Sequence, residues 1–228
     1  MQLDIYGAMR DLATVRPLFH SEADFRFALA WRIRERMPGC DVRLEFKPLA
    51  EPLYLDIWLP TLDVAIELKF KTQQLLALSG AELYALHNHG AQNHSRYDFL
   101  ADVQRLEKVV KEHGSAKRGL AVFLTNERSY WEVPTRSNTP DDEAFRLHEG
   151  RELSGVLRWS DEGNLTTKGS RTPPIVLSGR YHAVWHDYCD ATAHAAAAAA
   201  MLRALGTEVS TRNARHSRFR YLAMPVGS

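Results

Sequence analysis

Two short runs, residues 54–59 and 64–71, constrain this chain more than anything else in it. Leu55, Ile57 and Leu59 alternate with Tyr54, Asp56 and Trp58, and Val64, Ile66, Leu68 and Phe70 alternate with Ala65, Glu67, Lys69 and Lys71. That period of two is the pattern of a β-strand with one apolar face. The link Pro60-Thr61-Leu62-Asp63 is short enough to make the pair a hairpin. If Leu59 pairs with Val64, counting back along both strands sets Asp56 opposite Glu67 and Lys69 opposite Tyr54. Side chains so opposed have Cβ atoms about 4.5–5.5 Å apart, and like charges at that spacing destabilise a sheet. A cation is therefore expected between them. Mg²⁺, held by one or two carboxylates with water and phosphate completing its shell, fits such a gap, and Lys69 is aimed at the same place. A lysine beside a metal-bound water suits phosphodiester hydrolysis. The plainer alternative is that Asp56 and Glu67 are solvated strand residues paired with Lys69 and Lys71.

Asp56, ten intervening residues and then Glu67-Leu68-Lys69 resemble the signature of the PD-(D/E)XK nuclease superfamily. The resemblance implies an α/β protein with a restriction-endonuclease-like core, a mixed sheet flanked by helices in the order αβββαβ with insertions. It also implies Asp56, Glu67 and Lys69 as catalytic residues, with the two acids as ligands to Mg²⁺, for which Mn²⁺ would substitute. Leu55 stands where the family carries a proline, and a second triplet, Glu45-Phe46-Lys47, has Arg34 where the upstream acid would be needed.

The remaining segments supply the other parts of such a core. Ser21 is a good N-cap for a helix running to about Met37, ahead of Pro38-Gly39. Leu18, Glu22, Phe25, Leu29 and Ile33 share one face of it, so a carboxylate lies on an apolar stripe and needs a partner. The resemblance makes Glu22 a further metal-site carboxylate; its alternative role is simply to favour the N-terminal end of the helix dipole. Residues 1–17 show little pattern. Asp41–Lys47 reads as a strand whose Glu45 either joins the acidic cluster or faces solvent. Residues 72–96 read as an apolar helical segment with a polar loop or lid, in which Gln92 is a candidate substrate contact. A helix over Tyr97–His113 buries Leu100, Val103, Leu106, Val109 and Val110, and Gly119–Asn126 is an apolar run expected of a strand covered on both faces. An Asp to Arg pair within the helix accounts for Asp98, Asp102 and Arg105. By the resemblance, Gln104 or Arg105 reaches the site instead.

Residues 127–178 are polar and broken by proline, and read as an insertion with a short helix near 142–148 and a strand near 153–159. The rest of the core is a strand over 179–188, an alanine-rich helix over 191–205, and a tail in which Arg215 and Arg218 belong to a basic strip suited to phosphates or, equally, to a solvated loop. His182, His186 and Cys189 lack the spacing of a zinc motif and read as packing or surface residues. One domain spans 1–228, its core about 18–126 plus 179–228.

The composition is that of an ordinary soluble protein, 45% hydrophobic and 25% charged, and a formal net charge of +1 supplies no overall pull toward nucleic acid. No apolar run approaches the roughly 20 residues a membrane helix needs. Two cysteines suggest a reducing, cytoplasmic setting. The expected function is Mg²⁺-dependent hydrolysis of nucleic acid, first of all DNA, with a homodimer allowed and no membrane partner. The alternative is a nuclease-shaped module that binds nucleic acid or protein without cutting.

Overall fold

Capping and side-chain period account for most of the helices and strands in the computed structural model, which describes residues 2–48, 54–112, 116–135, 140–160, 168–207 and 215–227. Helix α1 (Ile5–Val15) starts at Asp4, whose carboxylate accepts the Gly7 N–H, and buries Ile5, Ala8, Met9 and Leu12. Helix α2 (Glu22–Arg36) starts at Ser21, whose hydroxyl accepts the Asp24 N–H, and ends as expected at Met37. Strands β1 (Arg43–Phe46), β2 (Leu55–Leu59) and β3 (Val64–Lys71) follow. The expected hairpin register holds, with Leu59 opposite Val64 and Ile57 opposite Ile66. Between them, Pro60–Leu62 forms one 3-10 turn and Asp63 takes a left-handed conformation, φ 53°.

A second hairpin, β4 (Leu75–Ser79) and β5 (Glu82–Leu86), occupies the stretch read from sequence as helix and loop. Leu75, Ala77, Tyr84 and Leu86 face the core at strand spacing, so period two prevails over the helical one. Helix α3 (Gln92–Glu112) begins five residues earlier than its apolar stripe suggests. It leads into β6 (Arg118–Thr125), which runs parallel to β3. Gly119 lets the helix close on the sheet, because a Cβ there would lie 3.0 Å from Leu106 Cβ and 3.1 Å from Val226 Cβ.

The segment read as an insertion contributes a 3-10 turn at Glu143–Phe145 and the strand β7 (Glu152–Leu157). Where one strand was expected over 179–188 there are two, β8 (Ile175–His182) and β9 (Trp185–Asp190), and β8 pairs with β7. Helix α4 (Thr192–Ala204) and strand β10 (Arg218–Val226) complete the chain. The result is an α/β protein whose main sheet has the order β1-β2-β3-β6-β10-β9, mixed in direction, with two separate hairpins. Among the described residues no helix is long and apolar enough to cross a membrane.

Both faces of the main sheet are covered, so the reading of one greasy face per strand needs correction. On the first face α1, α2 and the β4–β5 hairpin pack Leu12, Phe25, Leu29 and Ile33 against Ile57, Ile66, Leu68 and Phe70. On the second, α3 and the β7–β8 hairpin pack Leu100, Val103, Leu106 and Leu177 against Trp58, Ala65 and Phe123. At about 1.5–3 kcal/mol for each large side chain buried, these two layers supply most of the drive to fold. Glu67 and Lys69 lie on the second face of β3, between apolar layers, where a charge needs partners.

Candidate active site

The candidate site forms where β2 stops pairing with β3. Glu45 of β1, at φ 50°, falls between the Leu44–Ile57 and Phe46–Leu55 pairs of the β1–β2 ladder, as Asp56 does on β2. There the alternation slips: Leu44 and Ile57 join the first layer, Phe46 and Leu55 the second. The β2–β3 ladder closes at Ile57 opposite Ile66, so the expected direct opposition of Asp56 with Glu67, and of Tyr54 with Lys69, is not made through strand pairing. The N–H groups of Leu68 and Phe70, beyond the last pair, find side chains instead. Asp56 Oδ2 accepts from Leu68 N at 2.8 Å, and Glu22 Oε2, from the first turn of α2, accepts from Phe70 N at 2.8 Å. Left unpaired when buried, each such donor would cost about 1–3 kcal/mol.

Arg26, one turn past Glu22 on α2, bridges two strands: Nη1 to Asp56 Oδ1 at 2.9 Å and Nη2 to Glu45 Oε1 at 2.8 Å. Glu45 therefore joins the cluster through Arg26, while remaining mostly exposed itself.

On the other side of β3, Glu67 is only 3% exposed. Arg105 of α3 grips it with a two-pronged fork, Nε to Oε1 at 3.1 Å and Nη2 to Oε2 at 2.9 Å. The same Nη2 donates to Asp102 Oδ1 at 2.8 Å, and Asp102 Oδ2 pairs with Lys69 Nζ at 3.2 Å. Glu67, Arg105, Asp102 and Lys69 thus form one chain of alternating charge.

Burial is the largest influence on both acids. It holds Glu67 well above the usual carboxylate range, and the carboxylates of Asp102 and Asp56 push the same way against Arg105. Asp102 is also raised by burial, against the pull of Lys69 and Arg105. Burial works to lower Lys69 and Arg105, but their acidic neighbours outweigh it. Asp102 and Glu22 hold the ammonium above its ordinary value, and Glu67 and Asp102 do so for the guanidinium. Five acids (Glu22, Glu45, Asp56, Glu67, Asp102) face three cations (Arg26, Lys69, Arg105), so acids outnumber cations in the cluster.

The chain matches no family model, no curated protein and no solved structure.

The donors at the site are all carboxylate oxygens, the set preferred by a hard ion such as Mg²⁺ or Mn²⁺. Among the described residues no three His, Cys, Asp or Glu side chains converge as a group able to hold a metal. Asp56 acts electrostatically on Glu67, and Glu22 acts on Lys69. Among the described residues each oxygen of Asp56 accepts one hydrogen bond, from Arg26 and from the Leu68 N–H, and a carboxylate oxygen has two lone pairs.

The other expected contacts divide. Arg105 is in the cluster; Gln104 lies next to it on α3, half-buried. Gln92 lines a separate cavity of about 530 Å³ with Arg96, Asp142 and Arg146. Arg218 pairs with Asp187 of β9 at 2.9 Å, and Arg215 is exposed before β10, a strand separated from β3 by β6. The structure does not bring those two to the cluster. Of the residues doubted as zinc ligands, His186 packs against Tyr6 and Tyr221, and Cys189 Sγ lies 3.0 Å from Pro17 O.

Two members were missed from the sequence, Arg26 and the role of Asp102. Signals existed for both. Glu22 and Arg26 are four apart on one helix face, and Asp102 and Arg105 three apart on another.

Proposed function

We propose that the protein is a divalent-metal-dependent nuclease with a restriction-endonuclease-like core, hydrolysing phosphodiester bonds of nucleic acid and first of all DNA. One observation carries the reading: a nearly fully buried glutamate, Glu67, lies on β3 just past the point where β2 and β3 part, with Asp56 of β2 accepting from the next N–H, that of Leu68, and Lys69 two residues further along. Asp56 and Glu67 would hold the ion. When bound, Mg²⁺ or Mn²⁺ supplies Lewis-acid polarisation of a phosphoryl oxygen and a more acidic water. Lys69, kept protonated and oriented by Asp102, donates to the attacking water and to the phosphate oxygen on which charge grows. Arg26 and the Leu68 N–H fix the Asp56 carboxylate, and Glu22 steadies the strand end through the Phe70 N–H. The order α2, β1, β2, β3, α3, β6, with β4–β5 set between β3 and α3, supports the same core.

The test is incubation of the purified protein with single- and double-stranded DNA and RNA, with Mg²⁺, Mn²⁺ or chelator, beside Glu67→Gln and Lys69→Ala. Metal-dependent cleavage lost in both variants supports the reading. A wild-type protein that cleaves none of these substrates in either metal rejects it.

A second reading rests on the fork from Arg105, which occupies both Glu67 oxygens. A fold of this kind whose acids are neutralised internally would bind nucleic acid without cutting, seen as salt-dependent binding unaffected by Mg²⁺.

A further inference from the structure

We infer that Arg105 is a resident counter-ion that a divalent cation must displace from Glu67, and that Asp102 retains the displaced guanidinium. The inference rests on the nuclease reading and adds to it a built-in control on metal entry.

The geometry is specific. Glu67 spends both oxygens on one guanidinium, through Nε at 3.1 Å and Nη2 at 2.9 Å, so a cation approaching that carboxylate meets a like charge already seated. Arg105 is bound on its other side as well, Nη2 to Asp102 Oδ1 at 2.8 Å. Letting go of Glu67 therefore does not leave the guanidinium without a partner. Its side chain is 35% exposed, whereas Glu67 is 3% exposed, so the arginine has room to turn outward and the glutamate does not. Asp102 itself is anchored by Lys69 at 3.2 Å and sits on the same helix three residues before Arg105.

The experiment is a Mn²⁺ titration without nucleic acid, followed by electron paramagnetic resonance, of wild type, Glu67→Gln, Arg105→Met, Asp102→Asn and the double variant Asp102→Asn/Arg105→Met. Removing a fully engaged counter-charge from a buried carboxylate is expected to tighten Mn²⁺ binding by at least about ten-fold in Arg105→Met. Asp102→Asn is expected to weaken binding in the wild-type background and to have little further effect once Arg105 is gone, since no guanidinium then needs a second seat. A thermal melt with and without saturating Mn²⁺ checks that Arg105→Met folds, and its midpoint should rise more on metal addition than that of wild type. Equal or weaker Mn²⁺ binding by a folded Arg105→Met overturns the inference, while wild-type binding and cleavage would leave the nuclease reading standing. Absence of Mn²⁺ binding in both wild type and Arg105→Met overturns both.

Discussion

Two arginines on α3, the buried Arg96 and the half-buried Arg105, are set in clusters of opposite balance. Near the start of the helix, Arg96 is 3% exposed, donates to Asp142 at 2.8 Å and to the Ser129 carbonyl at 2.8 Å, and lies over the Tyr130 ring. The other oxygen of Asp142 pairs with Arg146 at 2.9 Å. Two cations there share one acid, and burial together with Arg146 holds Arg96 below its ordinary value. Near the middle of the helix, Arg105 and Lys69 share Asp102 and Glu67, with Asp56 and Glu22 beside them, and the excess is negative. Arginine fits the first setting because its flat fork satisfies several acceptors at once and adds a ring contact. The first cluster ties the irregular segment after β6 to α3, as a structural pin does. The second gathers more acids than cations at a parted strand end.

The contrast can be broken most directly through the chemistry. Lys69→Ala is expected to lower cleavage by roughly 10²–10³ while the protein remains folded, a drop typical of losing one group that stabilises transition-state charge. Quantified cleavage of a labelled duplex measures it, and an unchanged rate would remove Lys69 from the reaction. At the pin, Asp142→Ala should cost about 3–5 kcal/mol of stability, because the buried Arg96 and the partly buried Arg146 lose their shared acid. Urea denaturation reads this, and a loss below about 1 kcal/mol would mean that the two clusters are less different than their charges imply.

A smaller effect depends on pH. The folded state holds the Glu67 proton more tightly than the unfolded chain does, since its carboxyl is raised by burial. Its contribution to stability is therefore fully present below the unfolded carboxyl value of about 4.3 and is lost as pH rises through the raised one. Glu67→Gln has no such proton to lose, so in chelator its stability relative to wild type should climb as pH rises above about 4. A relative stability that is flat across that range would contradict the raised value. The smallest expected effect is at Arg218→Ala. Its exposed pair with Asp187 is worth about 0–1 kcal/mol, and cleavage should not change. A clear loss of DNA affinity in this variant, measured in a Glu67→Gln background, would restore the basic strip to the binding surface.

Much of the fold was legible because it is written locally. Ser21 as a cap, the hairpin register around Pro60–Asp63 and the unbroken apolar run of β6 each depend on neighbours a few residues away. Helix α1 was legible too, in Asp4 followed by Ile5, Ala8, Met9 and Leu12, and was overlooked. The β4–β5 hairpin was misread because Leu75, Leu76, Leu78, Leu83 and Leu86 fit a helical stripe about as well as a strand pair until burial chooses between them. Among the site residues, Asp56, Glu67 and Lys69 stood out by spacing alone, whereas Arg26 did not. Its two partners lie 19 and 30 residues away, and nothing in α2 alone announces them.

What the amino-acid order determined unaided is the strands β1, β2, β3 and β6, the turn that aligns β2 with β3, and the placing of acids and a lysine along them. Tertiary structure decided which of those charges meet. The β2–β3 ladder ends at Ile57 and Ile66, and α2 and α3 close on opposite faces of β3 to deliver Arg26 to Asp56 and Arg105 to Glu67. The physical reason is range. Alternation and capping act over a few residues along the chain, while a buried charge is governed by whatever the fold packs against it.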